Sequence, residues 1–425
     1  MTLLAESPPT AMHPRPRETK LAAKKHAILN EAFRPGGCSR LELARRLNIN
    51  ATMVGKYVGE FLRRRLLVEE GGGSSARGPV PVLLRPNPRH GCFLGLDFEA
   101  LRARAVLCDF AGNVLHQKEQ PFRLGISREQ VLKQIIGLAR QLAERVESPL
   151  LSVGIAAPGQ LDCAAGRVVH YRMLKDFDQV PVAERFQEVF DAPVFIEDNI
   201  RAAAYAELLR GHGQGRRNFL CLAVRSGVGL GIVIDGKLYR GNDQMSGEAG
   251  YLVLSTADGP RLATELVSNR GFVEATVKLL RSRRTTAARQ QLLKRRLLKR
   301  DEELTLADIV TAAEDGDEWL HARLVQLGEH LGILTANLAN LFAPEKILLV
   351  GEVPNCSAIV RQTMERTFRH YTLPQILKTA YLEDSALGPF SGALGVAWQG
   401  FARLFPLDAE TVIPNGKARH ETVLG

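Results

Sequence analysis

One pattern occurs twice in this chain and limits what it can fold into. From Cys92 the residues read CFLGLDFEALRARAVLCDFAGNVLHQKE, apolar strands in a hairpin or meander that turns at Ala111-Gly112-Asn113. From Phe219 they read FLCLAVRSGVGLGIVIDGKLYRG: apolar strand, glycine turn, apolar strand, then a tight Asp235-Gly236 turn. Short apolar runs bounded by glycine turns are strand signals. Each hairpin is followed by alternating elements. After the first come an amphipathic helix over Glu129–Val146, a buried strand in LLSVGIAAPGQLD, a strand in APVFIEDN and a small-residue helix over Ile200–Arg210. After the second come helices around Asp308–Ala313 and Leu320–Leu341, the buried strand EKILLVGEV and a packing helix from SGALGVAWQG. Two such halves predict a duplicated α/β body with a cleft between its lobes.

The residues before Cys92 have a different character. Of the chain's net charge of +10, residues 1–90 carry most, with 16 Lys and Arg against seven Asp and Glu. Cations gathered at one end of an otherwise neutral chain are the footprint of a polyanion-binding segment. Leu21–Phe33 predicts a helix stopped by Pro35-Gly36-Gly37. Ser39 with Glu42 forms a capping box for a short second helix, whose buried face is expected at Leu41, Ala44 and Leu47. Asn48-Ile49-Asn50 makes a turn, Asn50 caps a third helix, and Val54, Tyr57 or Val58, and Phe61 give that helix its core face. Two β-like runs, Leu66–Glu70 and Val80–Leu84, flank a Gly/Ser-rich tip at Arg77. Together these predict a winged helix-turn-helix.

In such a module the third helix lies in the major groove. Thr52, Gly55 and Lys56 are its outward face: Thr52 for a thymine methyl or base edge, Lys56 for guanine acceptors or a phosphate. Arg63 and Arg64 close the helix with Arg65, where phosphates lie, and Arg77 is placed for the minor groove. Lys24, Lys25, Arg40, Arg45 and Arg46 are expected at the DNA backbone.

Other features narrow the function further. Six cysteines are scattered with no CxxC spacing, which argues against a zinc or redox motif and fits a reduced, cytoplasmic protein. The N-terminal residues lack the charge-then-apolar order of a signal peptide, and no apolar run is long enough to span a membrane. Lys278 to Arg300 holds ten Lys and Arg on a leucine stripe. It reads as a surface helix with a solvated basic face, or as a second contact to the DNA backbone.

Taken in order, LGLDFEALRARAVLCDFAGNVL, GIAAPGQLD, VFIEDNIRAAAYAE, SGVGLGIVIDGKLYRG, SGEAGY and EKILLVGEV resemble the ROK family of repressors, open reading frames and sugar kinases. The likeness is to the subgroup with an N-terminal winged helix, which includes xylose and N-acetylglucosamine repressors. It covers roughly residues 20–400. It implies an actin-like, hexokinase-type (ribonuclease H-like) body and a homodimer or homotetramer.

The departures from the family pattern concern chemistry. The resemblance places the kinases' catalytic Asp at Asn199, and an amide cannot accept a hydroxyl proton near neutral pH. The kinases' phosphate loop, DxGGT, is here Asp97-Phe98-Glu99-Ala100-Leu101, without its glycines and with an added acid. The adenosine-side Gly-Gly is Gly351-Glu352. The family's zinc cysteines are absent after SGEAGY, and Tyr251 stands at the motif's histidine. The expectation is no catalytic residue, no cofactor and no metal.

Asp198, Asn199, Glu248, Tyr251 and Glu265 remain as candidate contacts to a carbohydrate-like effector, since carboxylates and amides suit vicinal hydroxyls. Helix capping is the alternative role for Asp198 and Glu248. The expected division is a tail (1–18), a winged helix (19–88), a first lobe (89–210), a second lobe whose final helix packs back on the first (211–405) and a tail (406–425). The sequence reading is a DNA-binding regulator, a repressor with a silent, sugar-sensing body. Its alternatives are a sugar kinase with a DNA-binding head and a ligand-free scaffold.

Overall fold

The computed structural model describes residues 16–34, 36–75, 78–123, 125–281 and 304–404. Arg77, residues 1–15, the C-terminal tail and the part of the basic stretch after Arg281 lie outside the described residues. The chain divides into two compact units, one running to His90 and one from Gly91 to Arg403.

The N-terminal unit is built from local signals. Helices α1 (Pro16–Ala32), α2 (Arg40–Leu47) and α3 (Ala51–Arg63) precede the antiparallel hairpin β1 (Leu67–Ser75) and β2 (Gly78–Pro86). Ser39 and Glu42 form the full capping box on α2, and Asn50 Oδ1 accepts from Thr52 and Met53 amides at the start of α3. Asn48 makes the turn between them in the left-handed region, where Asn is tolerated. Cys38 bridges to Leu84, adding a third short edge to the wing. Ile28, Leu29, Leu43, Val54, Val58, Phe61 and Leu84 are the buried core. One expectation fails: Leu41 is 59% exposed, and Leu43 is buried in its place. The helix is only two turns long, so packing against α1 and α3 sets its rotation, and periodicity constrains it weakly.

The larger unit contains two five-stranded sheets with the same topology. The first has order β10-β6-β3-β4-β5, from β3 (Cys92–Phe98), β4 (Arg102–Asp109), β5 (Val114–Pro121), β6 (Leu150–Ala157) and β10 (Val194–Asp198). The second has order β13-β12-β11-β16-β17, from β11 (Phe219–Val224), β12 (Val228–Ile234), β13 (Lys237–Tyr239), β16 (Lys346–Val350) and β17 (Leu382–Asp384). In both, the first strand pairs antiparallel with the second and parallel with the fourth. This is the duplication read from the two hairpins. Asp235 and Gly236 both have positive φ, as a two-residue hairpin turn requires.

Helix α6 (Asn199–Arg210) and the final helix, Ser391–Leu404, are small-residue helices that pack closely. A Cβ on Gly95 of β3 would lie 1.9 Å from the Ala393 carbonyl oxygen, so the final helix can rest on the first sheet only because that position is glycine. The first lobe's core holds Leu94, Leu96, Val131, Ile135, Ile155 and Ile196. The second lobe's is centred on Leu220, Leu222, Leu327, Leu331 and Ile347. No helix among the described residues is long and apolar enough to cross a membrane.

Candidate functional sites: a cleft and an exposed helix face

A cavity of about 190 Å³ lies between the two lobes of the body. The first lobe contributes Glu99, Pro158-Gly159-Gln160, His170–Met173, Asp198 and Asn199. The second contributes Arg225–Leu230, Ser246–Glu248, Tyr251, Leu262 and Thr264. Four of the five sequence candidates, Asp198, Asn199, Glu248 and Tyr251, therefore share one cavity. Glu265 does not line it. It sits in the short helix α7 (Ala263–Val267), and its carboxylate accepts from Arg261 Nε at 2.7 Å. Its neighbours Leu262 and Thr264 reach the cavity in its place.

Local structure explains how each group is held. Asp198 ends β10 and caps α6: its Oδ1 accepts from the amides of Ile200 (3.1 Å) and Arg201 (2.8 Å). Capping and lining the cavity coexist in this one side chain. Asn199 follows as the first helical residue, buried. Glu248 caps nothing with its side chain, which leaves the carboxylate to the cavity. It is placed by Gly247, whose φ is +96° and where a Cβ would lie 2.0 Å from the Leu230 carbonyl oxygen. The loop before it is anchored by Arg201, whose Nη1 donates to the Gln244 carbonyl at 2.7 Å while Nε donates to Glu197 at 2.9 Å. Arg240 also pairs with Glu197, at 2.5 Å.

Electrostatics follow from burial. Desolvation raises the Asp198 carboxyl above the ordinary range, against the pull of Arg201 and the two backbone donors. Glu248 is raised by burial and by repulsion from Asp198. Two carboxylates that repel one another across a small cavity are acceptors suited to the hydroxyls of an uncharged polyol. At the end of β3, burial lifts Asp97 to about 6 although Arg225, which lines the cavity, lies beside it.

The sequence reading missed Arg225, Ser226, Arg201, Gln160, His170 and Arg172. Arg225 had a signal: it is the lone charge between an apolar strand and a glycine turn. Among the described residues no group of three or more His, Cys, Asp or Glu is placed to hold a metal ion.

The second candidate site is on α3. Thr52, Gly55, Lys56, Arg63 and Arg64 are all exposed, opposite the buried Val54, Tyr57, Val58 and Phe61. An added Cβ on Gly55 would meet nothing within 4 Å, so this face is open. The cations expected to flank it divide. Lys25 bonds Glu60 at 2.8 Å, Arg40 pairs with Glu69, and Arg46 pairs with Glu31 at 3.2 Å. Lys24 and Arg45 are exposed.

Comparison with known proteins assigns the body. The model of the ROK family matches residues 93–400, well over half of the chain. The chain belongs to the ROK family. Its relatives include a xylose repressor of Bacillus spizizenii, 26% identical over 87% of this chain and 92% of that protein. Among known structures, a ROK family transcriptional regulator homologous to the Escherichia coli MLC protein superposes with a TM-score of 0.71 at 22% identity, over 93% of this chain and 99% of that one. A ROK glucokinase from Streptomyces griseus, in complex with glucose and AMPPNP, superposes with a TM-score of 0.60 at 23% identity, over 73% of this chain and 99% of that one. The two structures support an actin-like ROK body. The regulator's coverage extends over the N-terminal unit as well.

Proposed function

We propose that this chain is a DNA-binding transcriptional repressor whose ROK body is catalytically silent and senses a sugar-like effector in its cleft. The observation that carries the reading is the winged helix. Its third helix buries one face in the unit's core and exposes Thr52, Gly55, Lys56, Arg63 and Arg64 on the other. That is the arrangement that lets a helix enter the major groove with phosphates at its C-terminal end.

The cleft supports the second half. Asn199 stands where the family's kinases carry the proton acceptor, and losing such a base costs roughly 10²–10⁴-fold in rate. Asp198 and Glu248 still line the cavity beside it. In this reading they bind effector hydroxyls, Asn199 and Tyr251 complete the pocket, and Arg77 serves the wing. The protein acts in the cytoplasm as a homodimer or homotetramer, which supplies paired heads for a two-fold operator. Effector binding changes operator affinity only if the ligand distinguishes two lobe arrangements.

Fluorescence anisotropy of the purified full chain on duplexes tiling the DNA upstream of its own gene tests the reading. One duplex should bind far more tightly than random DNA, with affinity falling steeply as salt rises. Equal, weak binding to every duplex would refute it. A coupled assay of hexose-dependent ATP turnover tests the silent cleft, and turnover abolished by Asn199→Ala would make the protein a kinase with a DNA-binding head.

A further inference from the structure

The two sheets have the same topology, so the turns of their first hairpins are equivalent places: Glu99–Leu101 between β3 and β4, and Arg225–Gly227 between β11 and β12. These two turns meet across the cleft. Arg225 is only 6% exposed, and its guanidinium reaches from the second lobe to Asp97 of the first, Nη1 to Oδ2 at 3.4 Å. The next residue repeats the crossing, with Ser226 Oγ donating to Glu99 Oε2 at 3.4 Å. Glu99 is held in turn by Arg104 at 3.5 Å, in its own lobe.

The base of Arg225 is fixed from below. Its carbonyl accepts from the Asn269 amide at 2.8 Å, and Asn269 Nδ2 donates to Glu352 at 2.9 Å. A Cβ on Gly351 would lie 2.7 Å from Arg225 Cγ, so the side chain and the turn after β16 fit only as a pair. Arg225 Nη2 and Asp97 Oδ1 are both buried and make no hydrogen bond. A buried cation with one loose partner across a cleft is held by closure of the lobes, and it gains its remaining bonds from water when they part.

We propose that Arg225, seconded by Ser226, is an interlobe latch: a cation built into the protein that fills the loop side of the cleft, ties the lobes without a nucleotide and leaves room for one uncharged ligand beside Asp198 and Glu248. The latch deepens the proposed function, resting on it only in treating the cleft as free of nucleotide.

Hydrogen exchange of the full-length protein tests it without DNA or sugar, so failure here and failure of operator binding are separate results. Arg225→Met keeps the bulk and removes the charge. Amides of Glu99–Leu101, in the opposite lobe, should exchange about tenfold faster, with the strand cores unchanged. Asp97→Asn should loosen the turn Arg225–Gly227 in the reverse direction, and the double variant should show less than the product of the two effects. Wild-type exchange at Glu99–Leu101 in Arg225→Met would reduce Arg225 to packing within its own lobe and overturn the proposal. Ser226→Ala removes only the second crossing and guards against misfolding of the Met variant. It should give a smaller acceleration confined to the same three amides, and no change there would also count against the latch. Titration calorimetry of the wild type with Mg·ATP should show no binding, whereas saturable binding would overturn the exclusion of nucleotide.

Discussion

The winged helix and the cleft use the same residue type in opposite ways. In the head, Lys56, Arg63 and Arg64 stand in solvent, and the ion pairs around them, such as Lys25 with Glu60, are at the surface. In the body, Arg225 and Arg201 are almost fully buried, each facing a carboxylate of the same chain. Surface cations cost little to leave unpaired and remain available to an outside polyanion. Buried cations are committed, because removing one partner strands a desolvated charge. The contrast teaches where each region's function lies: the head keeps its charge for a partner, and the body has spent its charge on itself.

Substitutions sharpen that contrast. The largest effect is expected at Arg225→Ala, which should lower the stability of the body by about 3–5 kcal/mol in a denaturant titration. A loss below about 1 kcal/mol would place this ion pair with the surface ones. Lys56→Ala should do the reverse. It should leave the unfolding midpoint nearly unchanged and weaken specific DNA binding by about 1–3 kcal/mol in anisotropy.

Glu248→Gln separates stability from ligand recognition. The raised carboxyl of Glu248 means that the folded state holds its proton more tightly than the unfolded chain does. Its favourable neutral form is present below the ordinary carboxylate range, and that stability is lost as pH rises through the raised value. At pH 7 the Gln variant should therefore melt higher than wild type, and the gap should close as pH falls below the ordinary Glu range. Effector affinity should drop, by about 1.5–3 kcal/mol for a lost charge-assisted bond. The smallest effect concerns Arg65, whose φ of +55° places it in the left-handed region just after α3. Arg65→Gly should stabilise the head by about 0.5 kcal/mol, the relief of backbone strain less the added freedom of the unfolded chain.

Legibility in the sequence follows the same division. The head could be read almost residue by residue, because a capping box at Ser39 and Glu42, a cap at Asn50 and an apolar face on α3 are local. Its miss, Leu41, is on the shortest helix, where tertiary packing decides rotation. The doubled sheets were legible from strand and turn chemistry, down to Asp235-Gly236. The cleft was legible only in part. Asp198 and Asn199 sit at a strand end, where α/β folds place ligands, so their position followed from the pattern. Arg225 and Arg201 take their roles from partners in other segments: Asp97 lies 128 residues from Arg225, and the Gln244 carbonyl lies 43 residues from Arg201. No periodicity encodes such pairings. Glu265 was assigned by motif alone, and a neighbour four residues away, Arg261, holds its carboxylate instead.

The most direct test of the central claim is hydroxyl-radical footprinting of the full-length protein on the DNA upstream of its gene. The account predicts protection of two related half-sites whose centres lie about 10–10.5 base pairs or a multiple apart, with both footprints weakened together by Lys56→Ala. Cleavage indistinguishable from free DNA at protein concentrations that saturate non-specific duplexes would contradict it.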